Sequence, residues 1–411
     1  MQQDLQPIVK DLVLIGGGHS HVIVLKMFGM KPLPGVRLTL ITTDANTPYS
    51  GMLPGHIAGF YSHDECHIDL RPLANFAQTQ LYIDRVIGID IANKKVICAN
   101  HPAVDFDVIS IDIGSTPATI SVSGAAEYAI PAKPVSQLLK HWHQLVEIVA
   151  KNPQKAIKIG IVGGGAGGVE LALSMQAHLQ RILHQNQQPR QNLEIHLFQR
   201  DAELTPNYYQ SVRLQIQQIL IRRGIKLHLG ETVCQIEHNN LTPNPFLEPE
   251  RGIEEILQVK CKSGLIIECN KIFWVTQASA PEWIKTSGLR TNEQGFILVD
   301  DTLQSPTHPY IFAAGDIATM VNHPRPKAGV FAVRQGKPLF ENLQRFLLGK
   351  SLKPYKPQQK YLSLIGTGDG RAMAIRGRLI LPPHKLLWCG KDWIDRRFMK
   401  SFSNLSCARL T

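Results

Sequence analysis

Two stretches of the chain share one pattern of hydrophobic and glycine positions. LVLIGGGHSHV (12–22) is an apolar run that ends in glycines, and KIGIVGGGAGGVELAL (158–173) repeats it 147 positions later, counted from Gly16 to Gly163. Each pattern predicts a buried β-strand, a glycine turn and then a helix. A unit duplicated at this distance indicates two doubly wound α/β domains and not a short-period repeat protein.

Further apolar runs predict the elements around these two units. Strands are expected at 36–42, 106–114, 193–199, 266–276 and 309–316. Helices are expected at 134–150, 167–184, 208–223 and 328–348, and a Pro- and Asn-rich loop at 239–252. The pattern changes after residue 350, which marks the start of a C-terminal extension.

The second glycine turn has the spacing of a dinucleotide-binding fingerprint. Gly163, Gly165 and Gly168 satisfy G-x-G-x-x-G. The first glycine permits the tight turn, the second lets the backbone approach a pyrophosphate, and the third lets helix and strand pack closely. The helix predicted at 167–184 follows Ala166, and its positive N-terminus would receive the phosphates. The alternative, a tight strand–helix turn without a ligand, is less favoured because strands precede and follow the motif at the usual spacing.

The first glycine turn is less regular than the second. Gly16 and Gly18 are in place, but His21 stands at the third glycine position, where a bulky residue weakens close packing. His19 and Ser20 begin the predicted helix. We interpret the two histidines as packing residues beside a cofactor and not as catalytic bases.

An acidic residue that binds ribose hydroxyls is expected at the end of the second strand of each unit. In the first unit Asp44, or more weakly Thr42, can take this role, but Asp44 is equally typical of a turn. In the second unit Gln199 replaces the carboxylate and Arg200 follows it. This change favours NADPH, or tolerance of both nucleotides, unless Arg200 is simply a solvated loop charge.

Composition narrows the class of protein. With 44% hydrophobic and 19% charged residues, the chain of 411 residues is expected to be globular. The net charge of +11 is concentrated in 371–411, which holds nine Lys or Arg and two Asp but no nucleic-acid-binding motif. The seven cysteines lack metal-binding spacing, no apolar run reaches the ~20 residues of a membrane span, and no secretory signal is visible. We expect a cytoplasmic protein that binds neither nucleic acid nor a metal.

The motifs together resemble those of the FAD-dependent pyridine nucleotide oxidoreductases with two dinucleotide-binding domains. FDVISIDIGSTP (106–117) resembles the crossing between the domains, although Asp-Ile-Gly stands where Ala-Thr-Gly is usual. WVTQASAPEW (274–283) resembles the return crossing, and HPYIFAAGDIA (308–318) resembles the third FAD motif. The resemblance implies a glutathione reductase-like α/β fold of two Rossmann-like domains. It implies an FAD-binding domain at 8–125 and 295–350, an NAD(P)H-binding domain at 126–294 and a small basic extension at 351–411.

The resemblance also implies roles for single residues. The residues expected at FAD are Gly16, Gly18, His19, Ser20, Thr42, Asp44, Gly114, Gly315, Asp316, Lys327, Ala328 and Gly329. Those expected at NAD(P)H are Gly163, Gly165, Ala166, Gly168, Gln199 and Arg200. Glu170 would orient the nicotinamide against the flavin, the alternative being a first-turn carboxylate that the helix dipole favours. Lys327 would add positive charge at the flavin edge, or it is a surface lysine.

The region after the second strand separates subfamilies. TPYSGMLPGHIAGFY (47–61) lacks the redox cysteines of the disulfide reductases and resembles the type II NADH dehydrogenases, which pass electrons from NADH through FAD to an acceptor such as quinone. GGGHSH, PYSGMLPG, IGTGDG and DRRFM resemble more closely a flavoprotein module that is joined to the N-terminus of selenide, water dikinase. Two functions are therefore open: an NAD(P)H dehydrogenase with quinone as the implied acceptor, and a regulatory module of that kinase.

The C-terminal extension contains one amphipathic segment. KLLWCGKDWIDRRFMKSF (385–402) places Leu387, Ile394 and Phe398 at helical spacing, with Trp393 and several cations beside them. Such a segment can bind peripherally to the inner face of a membrane, or its apolar stripe can pack on the FAD domain or a protein partner. Internal packing is the commoner fate of a stripe of this length.

Overall fold

Two five-stranded parallel sheets organise the chain. The computed structural model describes residues 9–117, 122–238, 256–276, 278–403 and 405. The first sheet has the strand order Ile311–Ala313, Val108–Ile111, Lys10–Ile15, Val36–Thr42, Gln80–Ile83. The second sheet has the strand order Ala129–Pro131, Lys271–Trp274, Ile157–Val162, Leu193–Gln199, Lys226–Leu229. In both, the strand that precedes the glycine turn is central, where burial on both faces explains its continuous apolar run.

Six long helices accompany these sheets. The first glycine helix is His19–Met30 and the second glycine helix is Ala166–Gln185. The other long helices are Val135–Lys151, Gln210–Arg222, Gly329–Leu347 and the C-terminal helix, Lys385–Ser403. Shorter helical segments are Leu53–Ile57, His63–Cys66, Leu70–Phe76, Ala125–Tyr128, Arg190–Asn192, Glu282–Thr286 and Gly315–Ile317.

Small sheets complete the described part of the chain. Three antiparallel sheets are formed by Val86–Asp90, Lys95–Cys98 and Val104–Asp105; by Val233–His238, Leu257–Cys261 and Ile266–Cys269; and by Ser363–Gly366, Ala372–Arg376 and Leu379–His384. Paired strands are Asn46–Pro48 with His67–Asp69, Thr116–Pro117 with Ala278–Ser279, and Ile297–Val299 with Ala318–Met320. The pair at 116–117 and 278–279 joins the two crossings between the large sheets, as the resemblance implies.

Most predicted elements agree with this fold. The strands predicted at 106–114 and 309–316 are shorter in the structure, Val108–Ile111 and Ile311–Ala313, and a helical segment, Gly315–Ile317, replaces the end of the second. The predicted strands 36–42 and 193–199 have the observed bounds, and the four predicted helices end within two residues of the observed ones. The single strand predicted at 266–276 is wrong, because the chain divides at Asn270 into strands that belong to different sheets. The Asn270 side chain accepts a hydrogen bond of 2.8 Å from the Lys158 amide, which holds the break against the second sheet. The predicted loop 239–252 lies outside the described residues.

The C-terminal extension packs on both halves of the molecule. Ile365 and Met373 lie in the core of the second sheet, whereas Met399 and Phe402 lie in the core of the first. The predicted apolar stripe is only partly correct, because Ile394 is 44% exposed while Lys391 and Asp395 face inward. Hydrophobic periodicity misses this face because its buried residues include an ion pair.

The expected boundary between the two domains at 294/295 stays a prediction. Ile284 and Leu289, which precede it, are buried in the core of the first sheet. This packing favours a boundary near 278, where the return crossing pairs with 116–117.

Candidate functional site

The first glycine turn is held by the end of a neighbouring strand. Gly16 has φ +91°, and a Cβ there would collide with the Asp112 carbonyl oxygen. The Gly18 amide donates to the same carbonyl over 3.0 Å. Gly114 also has a positive φ of +72° and faces open space. The turn therefore admits glycine alone and leaves backbone exposed for the close approach of a ligand, which fits a pyrophosphate.

The two histidines of the first glycine helix, His19 and His21, are uncharged packing residues. His21 Nδ1 lies 2.7 Å from the Gly16 carbonyl oxygen and its Nε2 lies 2.8 Å from Ser110 Oγ. Because a carbonyl only accepts, Nδ1 carries the hydrogen and Nε2 accepts from the Ser110 hydroxyl. Burial lowers the pKa of His21 to about 4, and desolvation lowers the pKa of His19 likewise. Ser20 donates its hydroxyl to the Ala332 carbonyl over 2.7 Å and so attaches this helix to Gly329–Leu347.

Thr42 and Asp44 form a turn at the expected ribose position. The Thr42 hydroxyl donates to the Asp44 carbonyl oxygen over 3.2 Å, and Asp44 Oδ1 accepts from the Asn46 amide over 3.0 Å. Asp44 thus has the contacts of a turn residue, while its exposed position leaves the second carboxylate oxygen facing solvent. Both roles expected from the sequence remain compatible with this geometry.

Asp316 lies where the first sheet meets the second half of the molecule. It accepts a hydrogen bond of 3.0 Å from Lys133 Nζ, which also donates to Ser115 Oγ over 2.8 Å. Gly315 precedes it with φ +70°, and its amide donates to Gln335 Oε1 over 2.7 Å. Lys133 was not expected from the sequence, because its partner Asp316 is 183 residues away.

Lys327 is bonded within the protein and is not a solvated surface lysine, whereas its expected place at the flavin edge stays a prediction. Its Nζ donates to the Ala318 carbonyl over 2.5 Å and to Thr319 Oγ1 over 2.8 Å, and it lies 4.1 Å from the centre of the Phe296 ring. Desolvation lowers the pKa of Lys327 to about 8. The ammonium group thus connects the strand Ala318–Met320 with the segment that contains Phe296. Ala328 and Gly329 begin the helix Gly329–Leu347, and a Cβ on Gly329 would lie 2.5 Å from Ser50 Oγ.

The second glycine turn has the regular fingerprint geometry. Gly163 has φ +122°, and its Cβ would lie 2.7 Å from the Val275 carbonyl oxygen. A Cβ on Gly168 would collide with the Gly163 carbonyl, so only glycine allows the helix to start this close to the strand. Gly165 has no atom within 4 Å of its Cβ position and caps the helix that begins at Ala166. This open space at a helix N-terminus fits a dinucleotide pyrophosphate.

A carboxylate stands close to Gln199 after all. Gln199 Oε1 accepts from the Gly164 amide over 2.8 Å, and its Nε2 donates to Asp201 Oδ2 over 2.6 Å. Arg200 Nε lies 3.7 Å from Asp201 Oδ1 at the surface. A carboxylate therefore lies beside Gln199 although position 199 itself lacks one, which the spacing rule alone does not reveal.

Glu170 meets the C-terminal extension. Its Oε1 accepts a hydrogen bond of 2.9 Å from the Gly366 amide. Burial raises the pKa of Glu170 to about 7, against the lowering effect of Lys391. Lys391 and Asp395 form an ion pair of 2.6 Å whose side chains are each 7% exposed, and Lys391 also donates to the Gly51 carbonyl. A carboxyl group that holds a proton near neutral pH thus lies beside a buried ion pair.

The loop 47–61 completes this cluster. The Tyr49 ring stacks on Phe398 with centroids 4.5 Å apart. Desolvation, and then the charge of Asp395 and its hydrogen bond with the Tyr49 hydroxyl, raises the pKa of Tyr49. Trp388 packs against Phe60 and Tyr61, with centroids 4.8 and 6.0 Å away. We call this group of Tyr49, Phe60, Tyr61, Glu170, Trp388, Lys391 and Asp395 the interdomain cluster. The sequence did not point to Lys391 or Asp395, and their i, i+4 spacing was the only signal available.

The described residues contain no disulfide, no cluster that would bind a metal ion and no helix that could span a membrane. The six cysteines in this part of the chain are free, and burial raises the pKa of Cys66 to about 12. The described side chains form no cluster of three or more His, Cys, Asp or Glu that would hold a metal ion. Within the same ranges, none of the helices has the length and apolarity that crossing a bilayer requires.

Two parallel sheets, each with a glycine turn at a helix N-terminus, and two crossings between them define a two-domain dinucleotide-binding oxidoreductase. The family model for pyridine nucleotide-disulphide oxidoreductases matches residues 10–336. The chain belongs to this family, and it is a flavoprotein oxidoreductase that uses FAD and NAD(P)H.

Individual relatives cover most of the chain. Ferroptosis suppressor protein 1 of Xenopus tropicalis is 27% identical over 296 residues, which are 70% of this chain and 69% of that protein. Type II NADH:quinone oxidoreductase of Haemophilus influenzae is 21% identical over 395 residues, 86% of this chain and 84% of that protein. The structure of NDH2 from Plasmodium falciparum in complex with NADH has a TM-score of 0.77 and 13% identity, and the match covers 98% of this chain and 97% of that one. The structural likeness shows the fold that these chains share.

Proposed function

We propose that this protein is an NAD(P)H:quinone oxidoreductase whose acceptor is reduced at the interdomain cluster. The observation that carries the proposal is the convergence of Glu170, the Lys391–Asp395 pair and Tyr49 from three segments between the two glycine turns. The name of the Haemophilus influenzae relative supports the acceptor class.

Bound FAD supplies the chemistry of accepting a hydride and passing electrons on. The residues of the first glycine turn bind it, and those of the second bind the nicotinamide nucleotide. The protein contributes orientation and the exclusion of water. No side-chain nucleophile is needed for this reaction.

The interdomain cluster suits a flat, apolar acceptor that takes up protons. Reduction of a quinone to a hydroquinone consumes two protons. Glu170 can hold one of them near neutral pH on its carboxyl group, since burial raises its pKa to about 7. A Cβ on Gly366 would lie 3.4 Å from Trp388 and 3.9 Å from Glu170 Oε1, so the Trp388 ring adjoins this carboxyl group. Aromatic faces stack on planar rings, which favours a quinone over a small polar acceptor.

We also propose that Asp201 sets the choice of nucleotide. Its carboxylate is held beside Gln199, which itself binds the second glycine turn. A carboxylate at this edge accepts ribose hydroxyls and repels a 2′-phosphate. Asp201 therefore favours NADH, in contrast to the expectation from Gln199 alone.

Peripheral membrane contact is a further part of the proposal. Trp393 and Ile394 are 61% and 44% exposed on the C-terminal helix, and the Arg397 guanidinium lies 5.3 Å from the Trp393 ring centre. Exposed apolar side chains with neighbouring cations suit an anionic bilayer surface, where a quinone would also be found.

The proposal is tested by anaerobic stopped-flow in two halves. NADH should bleach the flavin in the first half-reaction. A short-chain quinone should then restore the flavin colour in the second half-reaction, at a rate similar to that of the bleaching. If NADH bleaches the flavin but no quinone reoxidises it, quinone is not the electron acceptor. The regulatory-module hypothesis rests on motif resemblance alone, since the names of the relatives above do not refer to selenide, water dikinase, and it would require that neither nucleotide bleaches the flavin.

A further inference from the structure

The buried carboxyl group of Asp112 sets the first glycine turn apart from the second. Asp112 is 2% exposed and lies at the N-terminus of the first glycine helix. Its Oδ2 accepts from the Ser20 amide over 2.8 Å and from the His21 amide over 3.2 Å. A Cβ on Gly18 or Gly315 would collide with the same carboxyl group. The acid thus occupies a space that two glycines keep free.

The position that corresponds to Asp112 beside the second glycine turn is occupied by Val275. Val275 follows its strand as Asp112 follows Val108–Ile111, and the amides of both donate over 2.8 Å to the residue before the glycine turn. Gly167 and Gly168 correspond to Ser20 and His21 by the offset of 147 positions. Apolar and glycine positions in one unit are therefore polar in the other. Burying such a polar set is costly unless it is hydrogen-bonded, and Asp112 meets this condition only through the Ser20 and His21 amides and the Ser20 side chain.

Among the described residues, no cation forms an ion pair with Asp112. The titratable groups of the neighbouring elements are His21, whose amide bonds Asp112 and whose imidazole is neutral, and Asp316 on the adjoining turn. Lys133 is engaged by Asp316 and Ser115. The helix Gly329–Leu347 adds Ala332 and Gln335, which are uncharged.

We propose that Asp112 is a residue of the FAD site that takes up one proton when the cofactor binds. A diphosphate at the first glycine turn places negative charge against the same helix N-terminus that the ionised carboxyl group uses. Two like charges in one buried site cannot both remain ionised at low cost. The proton comes from solvent and stays on the Asp112 carboxyl group, which keeps its bonds to the Ser20 and His21 amides through one oxygen.

Burial in the free protein already points in this direction. Desolvation raises the pKa of Asp112 to about 7, with Asp316 raising it further and the two amides opposing the shift. Raising the pH above this value ionises the group in the free protein. FAD affinity should therefore fall as pH rises, by up to about tenfold per pH unit.

The experiment measures FAD dissociation from the holoprotein by flavin fluorescence between about pH 6 and pH 9. Wild type should lose affinity progressively above neutral pH. Asp112→Asn keeps an oxygen for the two amides but cannot ionise, so its affinity should be independent of pH and should equal or exceed that of wild type at the alkaline end. Asp112→Val, which copies Val275, should also be pH-independent but weaker than Asp112→Asn, because it leaves two buried amides unpaired.

A second measurement covers the case in which the variants fold poorly. Calorimetry of FAD binding to wild-type apoprotein, in two buffers of different ionisation enthalpy, should report uptake of about one proton at mildly alkaline pH. Zero uptake, or the same pH dependence in Asp112→Asn as in wild type, overturns the proposal. Loss of FAD by Asp112→Asn across the whole range also overturns it, since the ionised group would then be required. None of these readouts involves turnover, so they are independent of the electron acceptor.

Discussion

Replacement of Glu170 by Gln distinguishes two roles for the residue that adjoins both the second glycine turn and the interdomain cluster. The amide oxygen of Gln can still accept from the Gly366 amide, a bond of 2.9 Å in wild type, so the contact with the C-terminal extension is preserved. What is lost is the ability to hold a proton. If Glu170 protonates the acceptor, only the reaction with quinone should suffer; if it orients the nicotinamide, flavin reduction should suffer.

The magnitude follows from the carboxyl group's environment. Burial raises the pKa of Glu170 to about 7, so the carboxyl group can carry a proton near neutral pH. A positioned general acid accelerates a reaction by roughly 10²–10⁴-fold. We expect quinone reoxidation to slow by about 10²-fold, which corresponds to about 2.7 kcal/mol in the activation free energy. Flavin reduction by NADH should stay within about threefold of wild type.

The pH dependence of flavin reoxidation by quinone tests the role of Glu170 independently. Glu170 is protonated below its raised pKa, so reoxidation in wild type should decline as pH rises through about 7. Glu170→Gln should lack this inflection. Folding raises this pKa from 4.5, so the folded state binds the proton more tightly than the unfolded chain, and the contribution of Glu170 to stability falls as pH rises over that interval. The variant should therefore unfold at no lower temperature than wild type at mildly alkaline pH.

The assay is anaerobic stopped-flow of both half-reactions at several pH values. Glu147→Gln, on the exposed side of the helix Val135–Lys151, is the matched control and should behave as wild type. Slower flavin reduction with unchanged reoxidation would refute proton donation and favour nicotinamide orientation. Wild-type rates in both halves would exclude Glu170 from either role.

Three further outcomes are expected. Gly18→Val should yield colourless protein, because the valine side chain would collide with the buried Asp112 carboxyl group. The control Gly390→Ala should retain its flavin, since no atom lies within 4 Å of its Cβ position. Flavin absorbance of the two purified proteins tests this. Asp201→Ala should improve the kcat/KM for NADPH relative to NADH by about tenfold or more, roughly 1.4 kcal/mol, and an unchanged ratio would show that Asp201 does not face the 2′-position. Replacing exposed Trp393 and Ile394 together by Ser should abolish salt-sensitive sedimentation with anionic liposomes while flavin is retained; wild type that stays in the supernatant at low salt would contradict membrane contact.

The sequence by itself determined the two glycine turns, the strands that precede them and the family. These features are local: a buried strand of a parallel sheet is a continuous apolar run, and a turn with φ +91° or +122° requires glycine wherever it occurs. The resemblance was therefore recognisable over about residues 10 to 350 before any contact was known, and the family model matches residues 10–336 of that span.

The tertiary structure decided which polar residues share a site. Lys133 reaches Asp316, Lys391 reaches Gly51 and Glu170 reaches Gly366 across 183, 340 and 196 positions of the chain. Hydrophobic periodicity cannot report such pairs, because a buried ion pair looks like a solvated helix face until its partner surface is known. The same limit applies to the break at Asn270, which bonds the neighbouring strand, and to the carboxylate of Asp201, which is held through Gln199 against the Gly164 amide of the second glycine turn.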